Sequence, residues 1–178
     1  MKVVWVNGTF GVGKTTTTAY LLEQTNGWRY FDPETVGYLL RGAMSDVPVA
    51  NFQDFAAWRR LVPQVLAEIG RETGQNIVAV QTVLNRDYWD EIHSGLTEHG
   101  FDVTHVVLDC DDAVLRERIH LDQHDVNARE WRLQHVDVYT AARPWLQERA
   151  AVIVDTSLLS AAEVASQLAM LSCFMTGR

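Results

Sequence analysis

Five short apolar runs punctuate the chain: Val3-Val4-Trp5-Val6, Arg29-Tyr30-Phe31, Ile77-Val78-Ala79-Val80, Val103 to Leu108, and Ala151-Val152-Ile153-Val154. Runs of this kind suit strands of a parallel sheet covered on both faces. Between them, apolar residues recur at helical spacing. Thr15 to Glu23 has Ala19 and Leu22 on one face, and Glu34 to Met44 has Val36, Leu39, Leu40 and Ala43. Phe52 to Glu68 carries Phe55, Ala56, Trp58, Leu61, Val62 and Val65, with Pro63 expected to kink or split it. Arg86 to His99 precedes Gly100, a C-terminal cap, and Asp112 to Leu121 follows. Val126 to Ala142 is expected to stop before Pro144, and Ser160 to Phe174 opens with the capping box Ser160-Ala161-Ala162-Glu163. Strands alternating with helices predict an α/β doubly wound domain with right-handed crossovers. Ligands of such sheets bind beyond the carboxyl ends of the strands. The residues that follow strands therefore matter most: Asp32 and Glu34, Gln81 and Thr82, Asp109, Asp155 and Thr156.

The segment after the first strand is Gly8-Thr9-Phe10-Gly11-Val12-Gly13-Lys14-Thr15, the spacing G-x-x-x-x-G-K-[ST] of a phosphate-binding loop. Glycines free the backbone so that successive N–H groups can point at phosphate oxygens. Lys14 supplies charge for terminal phosphates, and the Thr15 hydroxyl suits Mg²⁺. The helix beginning at Thr15 and Thr16 adds its positive dipole end. Strand, glycine loop and helix is the context this motif requires.

Composition narrows the function class. The 178 residues are 47% hydrophobic with a formal net charge of −8, which predicts one globular domain spanning 1–178 and argues against a nucleic-acid partner. Thirteen of the fifteen basic residues are arginine, the better fork for phosphate, and Lys2 is the other lysine beside Lys14. Cys110 and Cys173 match no metal or disulfide spacing, so a reduced cytoplasmic setting is expected. The N-terminus runs straight into a strand without a leader pattern, and no apolar run is long enough to span a bilayer. No obligate interface pattern stands out to define an oligomeric state.

Candidate chemistry gathers around the loop. Asp32-Pro33-Glu34 places a carboxylate opposite it, able to take the proton of an attacking hydroxyl or to cap the next helix. Asp32, nearest the strand end, is the expected base and Glu34 the alternative. Arg41, seven residues after Glu34, shares its helix face and suits an anionic or polar acceptor. Trp58 is a candidate for ring stacking, with Arg59 or Arg60 reaching the acceptor. Gln81 occupies the place after strand three where many phosphate-loop enzymes carry an acidic metal residue, and is suited to hydrogen-bonding an acceptor. The polar stretch around Arg116, Arg118, Arg129 and Arg132 reads as a mobile lid, about 118–133, closing over the phosphates. His120 and His124 are four apart, but no third metal ligand accompanies them.

Three stretches carry a resemblance. Residues 3–15 (VVWVNGTFGVGKT), residues 31–41 (FDPETVGYLLR) and residues 52–60 (FQDFAAWRR) resemble the tunicamycin-resistance protein family. The specific parts are D-P-E-x-x-G-x-x-L-R and F-Q-x-x-x-x-W, and the match covers about residues 2 to 60. Further on, V-L-R-E-R-I and V-I-V-D-T-S are similar to the wider group of small-molecule kinases. The resemblance implies a three-layer P-loop NTPase fold with a five-stranded parallel sheet of order 2-3-1-4-5. It implies ATP on Gly8, Thr9, Phe10, Gly11, Val12, Gly13, Lys14 and Thr15, with Arg118 near the adenine. The acceptor, tunicamycin or another uridine-containing compound, would enter a region of about 34–70, between Asp32, Glu34, Arg41 and the Phe52–Arg60 helix with Phe55. The chain departs from the family at His120 and Asp122, where basic lid residues are expected. The expected activity is phosphoryl transfer to a small-molecule hydroxyl. The alternatives are sequestration of the antibiotic without turnover, and a metabolic nucleotide or sugar kinase.

Overall fold

A computed structural model describes residues 1–123 and 126–175, so His124 lies outside the described residues. Strands β1 (Lys2–Asn7), β2 (Trp28–Phe31), β3 (Asn76–Val80), β4 (Asp102–Asp109) and β5 (Val152–Asp155) form a single sheet of order β2-β3-β1-β4-β5. All pairings are parallel, and Val4 of β1 lies between Val78 of β3 and Thr104 of β4. The helices are α1 (Lys14–Gln24), α2 (Glu34–Ala43), α3 (Ala56–Thr73), α4 (Arg86–Glu98), α5 (Asp112–Leu121), α6 (Arg129–Arg149) and α7 (Ala161–Ala169). Short 3₁₀ turns cover Phe52–Asp54 and Val126–Ala128.

The pleat of the central strands divides the core in two. Val3, Trp5, Ile77 and Ala79 face α2, α3 and α4, where Trp58, Leu66, Trp89 and Ile92 complete one layer. Val4, Val6, Val78 and Val80 face the other helices, with Leu21, Leu115, Tyr139, Leu146 and Leu168 packed beneath. Trp5, Trp58 and Trp89 are fully buried, and Trp5 meets Trp89 edge-on at 5.5 Å. Truncating such a side chain to Ala costs about 3–5 kcal/mol, so these layers hold the carboxyl ends of the strands in a fixed frame.

Neither proline ends its helix. Helix α3 runs through Pro63 and α6 through Pro144. An interior proline costs about 3 kcal/mol, but burial on either side of each outweighs it. Pro63 is wedged so closely against α4 that a Cβ on Gly95 would lie 2.9 Å from its ring. Around Pro144, Tyr139, Ala142 and Leu146 stay in one buried cluster. Two further differences concern faces and ends. Helix α1 buries Thr17, Thr18 and Leu21 rather than Ala19, which is exposed. Helix α7 ends at Ala169, and Phe174 reaches the core beyond it by packing on Trp28 at 4.4 Å. The Ser160–Glu163 capping box forms as read, and Gly100 takes a left-handed conformation (φ 82°) after α4.

Candidate functional site

Asn7, the last residue of β1, anchors the loop. Its Oδ1 accepts from the N–H groups of Gly8 (2.8 Å) and Val83 (2.9 Å), and its Nδ2 donates to the Val83 carbonyl (3.0 Å). The chain leaving β1 is thus tied to the chain leaving β3. Gly8 is required there by space and angle together: φ is 134°, and a Cβ would sit 2.5 Å from the Leu108 carbonyl oxygen. Gly13 is required by angle alone (φ 95°), since a Cβ would meet nothing closer than Thr17 Oγ1 at 3.8 Å. Helix α1 starts at the next residue, so its unpaired N–H groups face the loop's interior.

Lys14 bends back over that interior and donates to the carbonyls of Gly8 (3.0 Å) and Thr9 (2.8 Å). Burial pushes its ammonium down to about 7; Glu34 pulls it upward and Arg132 adds to the drop. The Thr82 hydroxyl also donates to the Gly8 carbonyl, at 2.8 Å. Lys14 can therefore leave for a phosphate without stripping that oxygen of every partner. Thr15 and Thr16 are exposed on the first turn of α1.

Two clefts lie on either side of this loop. One, about 290 Å³, is bounded by Gly11, Val12, Gly13, Thr16, Arg118 and the Thr156–Ala161 segment. Arg118 crosses its wall, donating to the Thr156 carbonyl (2.7 Å) and hydroxyl (3.2 Å). The other, about 390 Å³, meets the loop at Phe10. Glu34 of α2, Asn51, Phe52, Gln53 and Asp54 form one wall; Gln81, Thr82, Asn85 and Tyr88 form another; Trp131, His135 and Val138 of α6 close over it. The ring of Phe10 contacts Trp131 at 4.8 Å and His135 at 5.5 Å, so the end of the segment read as a lid and the next turn of α6 pack on the phosphate loop.

The sequence candidates divide sharply here. Glu34 and Gln81 line the larger cleft, and Arg118 the smaller. Asp32 turns away: its Oδ1 accepts from the Glu34 N–H (2.9 Å), the capping role weighed against catalysis above. Glu34 instead accepts from the Tyr38 hydroxyl at 3.0 Å, a bond that raises the Tyr38 phenol above its ordinary value. Arg41 donates to the Ala50 carbonyl and is exposed outside the cleft. Phe55 and Trp58 are core residues rather than cleft residues; Trp58 has no exposed surface and donates its Nε1–H to the Pro33 carbonyl. Arg59 is buried behind the wall, bonded to the Gln53 carbonyl (2.5 Å) and Glu91 (2.7 Å), with its guanidinium 4.1 Å from the Tyr88 ring centre. It braces Gln53 and Tyr88 without lining the cleft. Asp109 is taken up by Tyr139 (2.8 Å) and Arg143 (3.2 Å), and Asp155 by Ser157. Arg132 pairs with Asp122 at 2.7 Å, while Arg116 pairs with Asp137.

Several cleft residues escaped sequence reasoning: Asn51, Gln53, Asp54, Asn85, Tyr88 and His135. Gln53 had a signal, since it belongs to the F-Q-x-x-x-x-W block. Asn85 caps α4, accepting from the Asp87 N–H at 2.9 Å, a local role that carries no sign of the cleft. Among the described residues no group of three or more His, Cys, Asp or Glu is placed to hold a metal, and no helix is long and apolar enough to cross a membrane.

Residues 3–139 match the family described as AAA domain (AAA_33). No curated protein matches the chain. Among solved structures, the tunicamycin resistance protein of Deinococcus radiodurans is similar with a TM-score of 0.76 and 26% identity, over 95% of this chain and 94% of that one. A sugar kinase from Janibacter sp. HTCC2649 gives a TM-score of 0.72 at 17% identity, over 98% and 95%. A gluconokinase from Sinorhizobium meliloti 1021 gives 0.64 at 19%, over 93% and 88%. The last two likenesses are of fold alone, and the fold is that of P-loop small-molecule kinases.

Proposed function

This chain belongs to the AAA domain family, and we propose that it transfers the terminal phosphoryl group of ATP to a hydroxyl of a small molecule. A nucleoside antibiotic such as tunicamycin is the first acceptor to test, by similarity to the Deinococcus radiodurans protein. One observation carries the reading: the phosphate loop is the common wall of two clefts, Phe10 facing one and Gly11 to Gly13 the other. A nucleotide lying along the loop with its base toward Arg118 presents its last phosphate to whatever fills the larger cleft.

In this reading the loop amides and Lys14 hold the phosphates and stabilise charge as it develops. Mg²⁺, held by the Thr15 hydroxyl and the nucleotide, would supply further charge neutralisation. Glu34 orients the acceptor hydroxyl and takes its proton, displacing Asp32 from that role, because Glu34 lines the cleft and Asp32 caps α2. Gln53, Gln81 and Asn85 supply hydrogen bonds, and the aromatic rings of Phe10, Tyr88 and Trp131 supply flat apolar walls. The segment 118–133 acts as the lid, within a single catalytic domain that works in the cytoplasm.

Sequestration without turnover is the second reading. Two observations favour it: Gln81-Thr82 stands where an acidic residue would assist a metal, and Arg132 is held by Asp122. Incubation with ATP, Mg²⁺ and tunicamycin, followed by mass spectrometry, separates the two. Drug heavier by one phosphoryl group, with matching ADP, supports transfer. Unmodified drug bound tightly supports sequestration. ADP release with a common sugar or nucleotide, and indifference to the drug, points to a metabolic kinase.

A further inference from the structure

The larger cleft has a definite electrostatic character. Its lining includes two carboxylates, Glu34 and Asp54, and no lysine or arginine among the described residues. The nearby cations are engaged elsewhere. Arg59 is under Tyr88, bonded to Gln53 and Glu91. Arg41 points to Ala50, Arg132 to Asp122, and Lys14 to the carbonyls of its own loop. His135, on the α6 wall, packs on Trp131 and Phe10, with Nδ1 2.7 Å from the Trp131 carbonyl. The rest is apolar surface from Phe10, Phe52, Leu84, Trp131 and Val138 and neutral polar groups. Gln53 and Gln81 each direct an N–H at the Thr82 carbonyl (2.7 and 3.4 Å), which leaves their amide oxygens and second N–H groups for a ligand.

A carboxylate or phosphate brought into such a cleft loses water, meets two like charges and finds no guanidinium to pair with. A hydroxyl or amide meets donors and acceptors of matching strength. We propose that this cleft selects an uncharged acceptor bearing hydroxyl or amide groups on a planar ring or sugar, and rejects the same compound when it carries an acidic group. The proposal rests on the larger cleft being the acceptor site. Within that reading it separates this chain from a kinase for sugar acids or nucleoside monophosphates.

Matched pairs provide the test. The protein is saturated with a non-hydrolysable ATP analogue and Mg²⁺, so that the smaller cleft is filled. Uridine against uridine 5′-monophosphate, and methyl glucoside against glucuronate, are then titrated by calorimetry at low and high salt. The uncharged member of each pair is expected to bind about tenfold tighter or more, since like-charge juxtaposition is costly, and the gap should narrow in high salt. Val138→Arg, at a half-exposed cleft position on α6 with 49% of its surface accessible, should narrow the gap at either salt concentration. Equal or tighter binding of the acidic members, no binding of either uncharged compound at millimolar concentration, or a gap unmoved by Val138→Arg overturns the proposal. ADP release with true ATP is read separately. Selective binding of the uncharged members without ADP would remove phosphoryl transfer and leave the selectivity standing. ADP release driven by the acidic members would do the reverse.

Discussion

The two clefts beside the phosphate loop are built on different principles. In the smaller, Gly11 and Gly13 can offer only backbone, beside the start of α1 and residues of the 156–164 stretch, with Arg118 laid across to the Thr156 carbonyl. The larger joins Phe10 to residues from four further stretches, around 34, 51–54, 81–88 and 131–138. Backbone groups are the same in every protein, so a cleft made from them can serve one invariant ligand part, a polyphosphate. Side chains differ at every position, so a cleft made from them can be retuned for a new acceptor while the loop stays fixed. The difference teaches where specificity resides in this molecule: on the side of Phe10 that faces Glu34 and Gln53.

The sharpest way to break the comparison is to remove the lysine of the loop that lies between the clefts. Lys14→Met should lower kcat by about 10³-fold, the scale of losing a preorganised charge at a developing anion, and should weaken ATP binding in calorimetry. Retained turnover would take Lys14 out of the chemistry. Next in size is Glu34→Gln, expected to reduce kcat by about 10²-fold, as for a lost general base. Its companion Asp32→Asn should keep kcat while lowering stability by about 1 kcal/mol or less in urea denaturation, since only a cap is altered. The opposite pattern would return the base to Asp32.

A smaller effect sharpens the division between the clefts. Arg118→Met should raise the KM for ATP about tenfold and leave the acceptor KM in place, because one charge-assisted contact is removed. Arg59→Met should do the converse, raising the acceptor KM by a similar factor as Gln53 and Tyr88 lose their brace, with ATP unaffected. Equal effects of both variants on both constants would mean that the clefts are not separate.

The smallest effect is on pH dependence. Lys14 titrates near 7 in the folded chain against 10.5 for an unperturbed lysine, chiefly because it is buried. Between those values the unfolded chain holds a proton that the folded chain does not, so stability should rise with pH through that window. The cost of the buried charge is fully present below about pH 7. Lys14→Met should flatten this rise in denaturation series run from pH 6 to pH 10. ATP binding at pH 8 should take up part of a proton, seen as a buffer-dependent calorimetric enthalpy.

The sequence alone determined the parts whose physics is local. Apolar runs bounded by turn residues gave the strands, and the glycine spacing gave the loop, because φ > 0 and close backbone approach at Gly8 leave few other residues possible. The Ser160–Glu163 cap was legible for the same reason. Tertiary structure decided the rest. Nothing within the helix around Pro63 announces that Gly95 will receive its ring, and nothing beside Trp58 says that Pro33 will accept its N–H. Helical spacing put Glu34 and Arg41 on one face, but only packing turned Glu34 into a cleft and left Arg41 on Ala50. A phosphate cradle is written in neighbouring backbone angles. An acceptor cleft is written in distances between residues about a hundred positions apart, and those are fixed only when the two core layers close on the sheet.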